Sequence, residues 1–260
     1  MYGVNVIAKR YGPDLGVGRG AHHDEEDIWM VGEPATPRIG QGLYTLPDAA
    51  SILKLPTTTV RRWANGYWRW HDETRRRRMP AVTDTGRFRV KRARVMNFHA
   101  LVELYTFMTL REKGVILQNI RQAHEELRRR FGSEFPFASH QLLSDGHSVL
   151  LRLEETVALN LNQAGQTEFA MLIEPFCIKL EFDVSTELAE RFWPLGRDRA
   201  VVVDPRRGFG RPTIAGTRVP TEVVAAMRQG GDAVATIASR FELSPQAVRD
   251  AIEFESEDRP

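Results

Sequence analysis

Positive charge in this 260-residue chain is concentrated in one stretch, from Thr57 to Arg94. That stretch holds 12 Lys and Arg residues against 3 Asp and Glu residues, a net charge of +9. The whole chain has 36 basic and 34 acidic residues, so 24 basic and 31 acidic residues lie elsewhere and give −7. A concentration of cations on one module is typical of proteins that bind polyanions, above all nucleic acids.

A capping signal predicts a helix just ahead of the basic stretch. Thr45-Leu-Pro-Asp48 places a hydroxyl before the helix, a proline in its first turn and an acid at its third position. The helix is expected over roughly Pro47 to Leu53, because Lys54-Leu-Pro56 would end it. A second helix is expected from Thr57, as its cap, to the stop at Asn65-Gly66.

Two short helices joined by a tight turn, the second carrying paired arginines, are typical of a helix-turn-helix that enters the DNA major groove. Val60, Trp63 and Ala64 are expected to form the apolar face of the second helix. The residues on the opposite face are the first predicted DNA contacts: Thr58, Thr59, Arg61 and Arg62.

A β-hairpin is predicted after the second helix, from Met79 to Val90 with its turn at Asp84-Thr-Gly86. Arginine and lysine alternate with apolar residues on its second strand, so the cations would share one face. Such a hairpin would be a wing beside the recognition helix. The DNA contacts predicted for this region are Arg75, Arg76, Arg77, Arg87, Arg89 and Lys91.

Two longer amphipathic helices complete the predicted DNA-binding domain, residues 43–132. Asn97 caps the first, Phe98 to Lys113, and the second runs from about Val115 to Phe131. Before this domain, residues 1–42 are rich in glycine and proline and have no sustained periodicity. They are interpreted as an irregular lead-in.

After Gly132 the pattern changes to short strands separated by turn residues, which predicts a small β-rich middle module over residues 137–183. The last module, residues 200–254, opens with a glycine- and proline-rich stretch typical of a β-hairpin. Three helices are then expected: Thr221 to Gln229, Asp232 to Phe241, and Pro245 to about Phe254 with Ser244 as cap.

The last two helices form a second helix-turn-helix pattern with the opposite charge. From Ser244 to Pro260 the chain has two basic and five acidic residues, a net charge of −3. A polyanion would be repelled there, so this unit is expected to serve protein contact or dimerisation. The predicted fold class is α+β, mainly α: an N-terminal winged helix-turn-helix, a small β-rich middle module, and a C-terminal β-hairpin plus three-helix helix-turn-helix domain.

Enzyme chemistry has little support in the sequence. The histidines and acids show no metal-ligand spacing, and neither a nucleophile elbow nor a P-loop occurs. We therefore predict a non-enzyme with no catalytic residues, no metal and no cofactor. The single cysteine, Cys177, lies in an apolar run and is interpreted as a buried, inert thiol. Without a membrane span or an export signal, the expected location is cytoplasmic.

Two blocks of the chain resemble a known family. Tyr44-Thr-Leu-Pro-Asp-Ala-Ala-Ser-Ile-Leu53 with Thr59-Val-Arg-Arg-Trp63 resembles the winged helix-turn-helix of a VapB-type antitoxin subgroup, itself similar to the MerR DNA-binding unit. The small C-terminal helix-turn-helix domain of those antitoxins, a domain type formerly described as of unknown function, resembles a second block. That block is Val203-Asp-Pro205 with Gly210-Arg-Pro-Thr-Ile-Ala-Gly-Thr-Arg-Val-Pro220. The two matches span about Leu43 to Glu253.

The resemblance implies an antitoxin of a type II toxin-antitoxin system. Such a protein, expected to be a homodimer, binds operator DNA to repress its own operon and neutralises a PIN-domain ribonuclease toxin by direct contact. Those toxins hold Mg²⁺ in an acidic site that other VapB antitoxins often block with an arginine. The toxin-binding residues implied here are Arg206, Arg207, Arg211 and Arg218. An alternative is a ligand-responsive MerR-like transcriptional regulator without a toxin partner, whose effector would bind the middle module.

Overall fold

A computed structural model describes residues 40–70, 76–79, 81–82, 88–90, 93–142 and 178–256. Several predictions therefore lie outside the described residues. They are nearly all of the lead-in, the strands of the middle module within residues 143–177, Cys177, and the basic residues Arg75, Arg87 and Lys91.

The described chain has an N-terminal and a C-terminal series of elements. The N-terminal series is β1 (Tyr44–Thr45), α1 (Leu46–Leu53), α2 (Thr57–Asn65), β2 (Tyr67–Trp70), β3 (Arg76–Met79), β4 (Phe88–Val90), β5 (Ala93–Met96), α3 (Phe98–Glu112), α4 (Leu117–Phe131) and a 3-10 turn (Pro136–Ala138). The C-terminal series is β6 (Leu180–Phe182), β7 (Ala189–Phe192), β8 (Val201–Val203), a 3-10 turn (Gly208–Gly210), β9 (Pro212–Ile214), α5 (Thr221–Gln229), α6 (Val234–Phe241) and α7 (Pro245–Ser256). The α+β fold class, mainly helical with small antiparallel sheets, is confirmed.

The start of the first helix follows its sequence signal. The Asp48 amide donates to the Thr45 hydroxyl at 3.3 Å, and the Thr45 amide donates to the Asp48 carboxylate at 2.8 Å. This reciprocal capping box satisfies two amides that a helix leaves without partners. The prediction that Thr57 caps α2 is wrong, because Pro56 is the cap residue and no side chain caps this helix.

The strands of the N-terminal half do not pair as predicted. A hairpin from Met79 to Val90 is wrong, because β3 pairs with β2 and β4 pairs with β5, both antiparallel. A three-stranded sheet, β1-β5-β4, and a two-stranded ribbon, β2-β3, result.

Helix α3 is the centre of the N-terminal core. Asn97 caps it as predicted, accepting the Ala100 amide at 2.9 Å. Its side chains are buried all round the helix, so neighbours cover every face. On one side the ring of Phe107 lies 4.8 Å from that of Trp63 in α2. On another side Tyr105 lies 4.6 Å from Phe192 in β7, so the same core reaches the C-terminal sheet.

Four antiparallel strands, β6-β7-β8-β9, form the C-terminal sheet. The predicted hairpin is its β8–β9 half. Leu180–Phe182, predicted as part of a strand in the middle module, pairs with β7 and lies in this same sheet. His99 of α3 contacts the Ala189 carbonyl oxygen at 3.1 Å, which links the N-terminal helices to β7.

Three helices close the chain and share a small apolar core with β9. The Ala247 amide donates to the Ser244 hydroxyl at 3.1 Å, so the predicted cap of the last helix is confirmed. Helix α6 begins at Val234 rather than at Asp232, and α7 extends to Ser256. Among the described helices, none has the length and apolar character needed to cross a membrane.

Candidate functional site

Helix α2 is oriented by its buried face. Val60 is fully buried and Ala64 is 2% exposed, while the Trp63 ring packs edge-on against α3. Residues return to the same face of a helix about every 3.6 positions. Burial of this face therefore turns the opposite face of α2 toward solvent. Thr58, Arg61 and Arg62 are exposed as predicted, and Thr59 is partly buried.

The turn before α2 and the chain after it fix the direction of this helix. Lys54 ends α1 in the left-handed conformation (φ 54°), and the next amide, Leu55, donates to the Ala50 oxygen at 3.0 Å. After the helix, the Val82 amide donates to the Trp63 oxygen at 2.8 Å. The exposed arginines therefore project from a backbone that is held at both ends.

The basic residues of the strands lie on two separate sheets. Arg76 and Arg77 belong to β3 and Arg89 belongs to β4, so these three predicted DNA contacts do not lie on one sheet. Their backbone registers place arginine opposite arginine twice, at Arg69↔Arg77 and at Arg89↔Arg94.

Arg69 and Arg94 were not among the residues predicted to contact DNA. Both lie within the basic stretch, but only the backbone register of the strands shows that each is paired in sequence position with another arginine. A pattern that follows charge along one strand cannot find a pair formed across two strands.

A second group of arginines surrounds a cavity of about 560 Å³ in the C-terminal half. Asp204, only 3% exposed, accepts hydrogen bonds from several members of this group. Its carboxylate accepts the Arg206 amide at 2.9 Å and the side chains of Arg191 and Arg206, both at 3.3 Å. A buried carboxylate with several donors holds those donors in fixed positions. The cavity is lined by Arg191, Asp204, Arg206, Arg207, Gly208 and Arg218.

Three of the four arginines proposed for toxin contact thus line one cavity, whereas the fourth, Arg211, lies elsewhere and pairs with Glu222 at 3.2 Å. Arg218 is exposed and has no ion pair among the described residues. Arg191 also lines the cavity and was not among the predicted toxin contacts. Burial lowers the pKa of Arg191, but Glu181 and Asp204 outweigh it and raise that pKa above its ordinary value.

The arginine cavity can bind an anion. Two carboxylates besides Asp204 contact its arginines: Glu181 pairs with Arg191, and Glu190 pairs with Arg206, each at 3.1 Å. Four guanidinium groups against three carboxylates leave an excess of one positive charge. Guanidinium groups bind carboxylate and phosphate in a bidentate manner. Within the described residues, no group of three or more His, Cys, Asp or Glu side chains is placed to hold a metal ion.

Two parts of the chain match known protein families. Residues 42–124 match the family described as "Putative DNA-binding HTH domain", and residues 201–254 match "Protein of unknown function (DUF433)". The first match covers α1, α2 and the strands with the paired arginines. The second covers the hairpin and the three C-terminal helices.

Two proteins of Mycobacterium tuberculosis are similar over most of their length. One is named "Putative antitoxin VapB45", with 29% identity over 81% of this chain and 92% of the relative. The other is named "Uncharacterized protein Rv2308", with 26% identity over 84% of this chain and 92% of the relative. The X-ray structure of Rv2018 from the same organism has the same fold, with a TM-score of 0.56, 24% identity, and coverage of 80% of this chain and 96% of that one.

These matches confirm the resemblance predicted from the sequence. The chain is a homologue of a protein named as a putative antitoxin, and it matches the family "Putative DNA-binding HTH domain" at its N-terminal side and DUF433 at its C-terminal side.

Proposed function

We propose that this protein is the antitoxin of a type II toxin-antitoxin system, which represses its own operon and neutralises a PIN-domain ribonuclease. The observation that carries the DNA-binding half is the exposed face of α2, on which Thr58, Arg61 and Arg62 are directed to solvent. Phosphate contacts from such residues supply affinity and position the helix, while contacts with base edges supply specificity.

As a homodimer the protein would present two copies of α2 to one DNA duplex. The operator is then an inverted repeat whose half-sites lie about one helical turn, roughly 34–36 Å, apart. A matching prediction is a steep fall of affinity with salt, because each neutralised phosphate releases counterions.

Fluorescence anisotropy with a labelled duplex from the DNA upstream of the reading frame tests this half. We expect tighter binding to that duplex than to a scrambled one of equal length, and a decline of log K with log salt concentration. Equal affinity for the two duplexes would contradict operator recognition. A flat salt dependence would contradict the assigned basic surface.

The toxin-binding half of the proposal rests on the arginine cavity and on the name of the relative. A PIN-domain active site is acidic because it binds Mg²⁺ through carboxylates, and carboxylates are the partners that guanidinium groups hold best. Arg206, Arg207 and Arg218 share one cavity and are the proposed contacts, with Arg191 added to them. Arg211 is left out of this set because it lies apart.

Co-expression with the PIN-like protein of a neighbouring reading frame tests this second half. The two proteins should co-purify, and the ribonuclease activity should be suppressed. Arg218→Glu should weaken the complex without affecting folding, because Arg218 is exposed and has no ion pair among the described residues. Arg228→Glu, at an exposed arginine of α5, is the matched control. Equal retention of the toxin by both variants would overturn the assignment of the cavity.

A further inference from the structure

One exposed aromatic side chain lies next to the arginine cavity. Phe209 is 77% exposed, and it is the only exposed residue among the Phe, Trp and Tyr residues whose side chains the structure describes. Its neighbour in the chain, Gly208, lines the arginine cavity. An exposed ring is unfavourable in water, and burial against another molecule would remove that cost.

The backbone at Phe209 is left-handed. Its φ is 58°, and it lies between Gly208 and Gly210, which also have positive φ. Glycine adopts this conformation freely, whereas a residue with a side chain adopts it only with strain. Strained residues of this kind are concentrated at functional sites. The turn itself would be more stable with a third glycine, so the ring of Phe209 contributes nothing to its stability.

The turn that carries Phe209 is held in place on both sides. The Gly210 amide donates to the Arg207 carbonyl oxygen at 2.8 Å. The Leu43 amide donates to the Phe209 carbonyl oxygen at 3.4 Å. Gly210 packs so closely against Tyr44 that a Cβ atom at this glycine would collide with the Tyr44 ring. The ring of Phe209 therefore projects from a fixed backbone, which keeps the entropic cost of binding low.

Positive charge lies on one side of Phe209. Arg207 and Arg218 both line the arginine cavity. Arg218 is exposed and has no ion pair among the described residues. Arg207 lies 3.7 Å from the Asp204 carboxylate, which is too long for a hydrogen bond. These two guanidinium groups can therefore bind a carboxylate of a partner that also covers the ring.

Negative charge lies on the other side of Phe209. There the residue borders a cavity of about 500 Å³ between α1, α5 and α7, which the carboxylates of Asp48, Glu222 and Glu255 also line. A nucleic acid whose bases stacked on the ring would bring its phosphates close to these carboxylates. A polypeptide can place apolar groups against the ring and match the charges around it. The surface therefore fits a polypeptide better than a nucleic acid.

We propose that Phe209 is an anchor residue in the complex with the toxin. The ring would enter an apolar recess of the toxin, while a toxin carboxylate binds Arg207 and Arg218. Buried aromatic residues contribute a large share of the binding free energy in protein interfaces, and the polar contacts around them exclude water. The partner in this inference is the PIN-domain ribonuclease, so it rests on the proposed function.

Isothermal titration calorimetry of the full chain with the PIN-like protein of a neighbouring reading frame measures the contribution of the ring. The Kd should rise at least about tenfold in Phe209→Ala and in Phe209→Gly, because the apolar contact is lost. Phe209→Gly should melt at the wild-type temperature or higher, since glycine relieves the left-handed conformation. A loss of affinity without a loss of stability separates a binding role from a structural one.

Glu242→Gly is the matched control, because it relieves the same conformation at an exposed residue between α6 and α7. Its Kd for the toxin should equal that of the wild type. Salt distinguishes the ring from the arginines. The loss of affinity in Phe209→Ala should be the same at low and high salt, whereas the loss in Arg218→Glu should become smaller as salt rises.

An unchanged Kd in Phe209→Ala would overturn this inference and leave the proposed function standing. Absence of a complex with the wild-type chain would overturn both. Loss of operator affinity in Phe209→Ala would identify nucleic acid as the occupant of this surface. Conversion of a wild-type dimer to a monomer by the same substitution would identify a second copy of the chain. Either of these two results would overturn the assignment to the toxin.

Discussion

The two helix-turn-helix units of this chain have the same turn conformation between their helices. They differ in what their arginines contact. In the first unit Lys54 is left-handed (φ 54°) and the Leu55 amide donates to Ala50 at 3.0 Å. In the second unit Glu242 is left-handed (φ 56°) and the Leu243 amide donates to Ala238 at 2.9 Å. The same turn therefore connects both helix pairs.

Charge separates the two units. Helix α2 contains two arginines and no acid, a net charge of +2, whereas α7 contains one arginine and three acids, a net charge of −2. Arg61 is exposed and forms no ion pair within the described chain. In the second unit Arg199 pairs with the buried Asp250 at 2.9 Å and with Glu253. Fold alone does not define a DNA-binding unit; the exposed charges of its second helix do.

The ion pair at Arg199 has a structural role. Glu253 and Asp250 raise the pKa of Arg199 above its ordinary value. Burial raises the pKa of Asp250, but donors from Ala200, Gln246 and Arg199 outweigh it and hold that pKa below its usual range. Both groups are therefore charged at neutral pH, and the pair fastens α7 to the chain before β8.

The largest expected effect is on DNA binding by the first unit. Arg61→Ala with Arg62→Ala should lower the affinity for operator DNA about 10- to 100-fold, because two cationic contacts are lost. Fluorescence anisotropy at fixed salt measures this effect. Arg228→Ala with Arg249→Ala, exposed arginines of the C-terminal helices, is the matched control and should bind like the wild type. Equal losses in the two double variants would erase the distinction between the units.

The next effect is on the stability of the second unit. Arg199→Ala should lower the free energy of unfolding by about 1–3 kcal/mol, because Asp250 stays buried and loses a charged partner. Urea denaturation measures this change, and DNA affinity should remain at the wild-type value. The free energy of unfolding of Arg199→Lys should lie between those of the wild type and Arg199→Ala, because a lysine keeps the charge but not the paired geometry. A loss of DNA affinity in Arg199→Ala with unchanged stability would reverse the roles assigned to the two units.

A smaller effect compares the two left-handed turn residues. Glu242→Gly should raise the free energy of unfolding by about 0.5–1 kcal/mol, because glycine adopts this conformation without strain. Lys54→Gly gains the same relief but loses the contact with Phe254, so its net change should be smaller. Denaturant titration of both variants measures the difference. Equal gains would mean that Lys54 adds nothing to the contact between α1 and α7.

The smallest effect is a dependence of stability on pH at the contact between α3 and β7. Burial lowers the pKa of His99 below 6.5, even though its bond to the Ala189 oxygen and the nearby Glu103 act in the opposite direction. The unfolded chain therefore binds a proton at a higher pH than the folded protein. Stability should be retained above about pH 6.5 and decline as the pH falls below it. His99→Gln should flatten that decline in denaturation curves, and an unchanged slope would show that His99 is not its source.

Local features of the fold could be predicted from the sequence, because their signals lie within a few residues. The capping box at Thr45 and the caps at Asn97 and Ser244 are of this kind, and all three are confirmed. Pairing of distant strands left no comparable signal, so the hairpin from Met79 to Val90 was predicted wrongly. The alternating pattern of one strand is compatible with several neighbouring strands as pairing partners. Tertiary packing decides which of them it pairs with.

The candidate sites divide in the same way. Arg61 and Arg62 could be placed on an exposed helix face, because the periodicity of α2 and its apolar residues are local. Arg191 could not be found, because its role depends on Asp204 in a neighbouring part of the sheet. The cavity between α1, α5 and α7 could not be predicted from the sequence either, because these three helices are far apart in the chain.

Hydrogen–deuterium exchange of the full chain, with and without operator DNA, tests the central claim most directly. That claim is that nucleic acid binds the first helix-turn-helix unit and not the second. DNA should slow exchange across α2, Thr57–Asn65, and leave α7, Pro245–Ser256, unchanged. Slower exchange in α7 with none in α2 would contradict the claim.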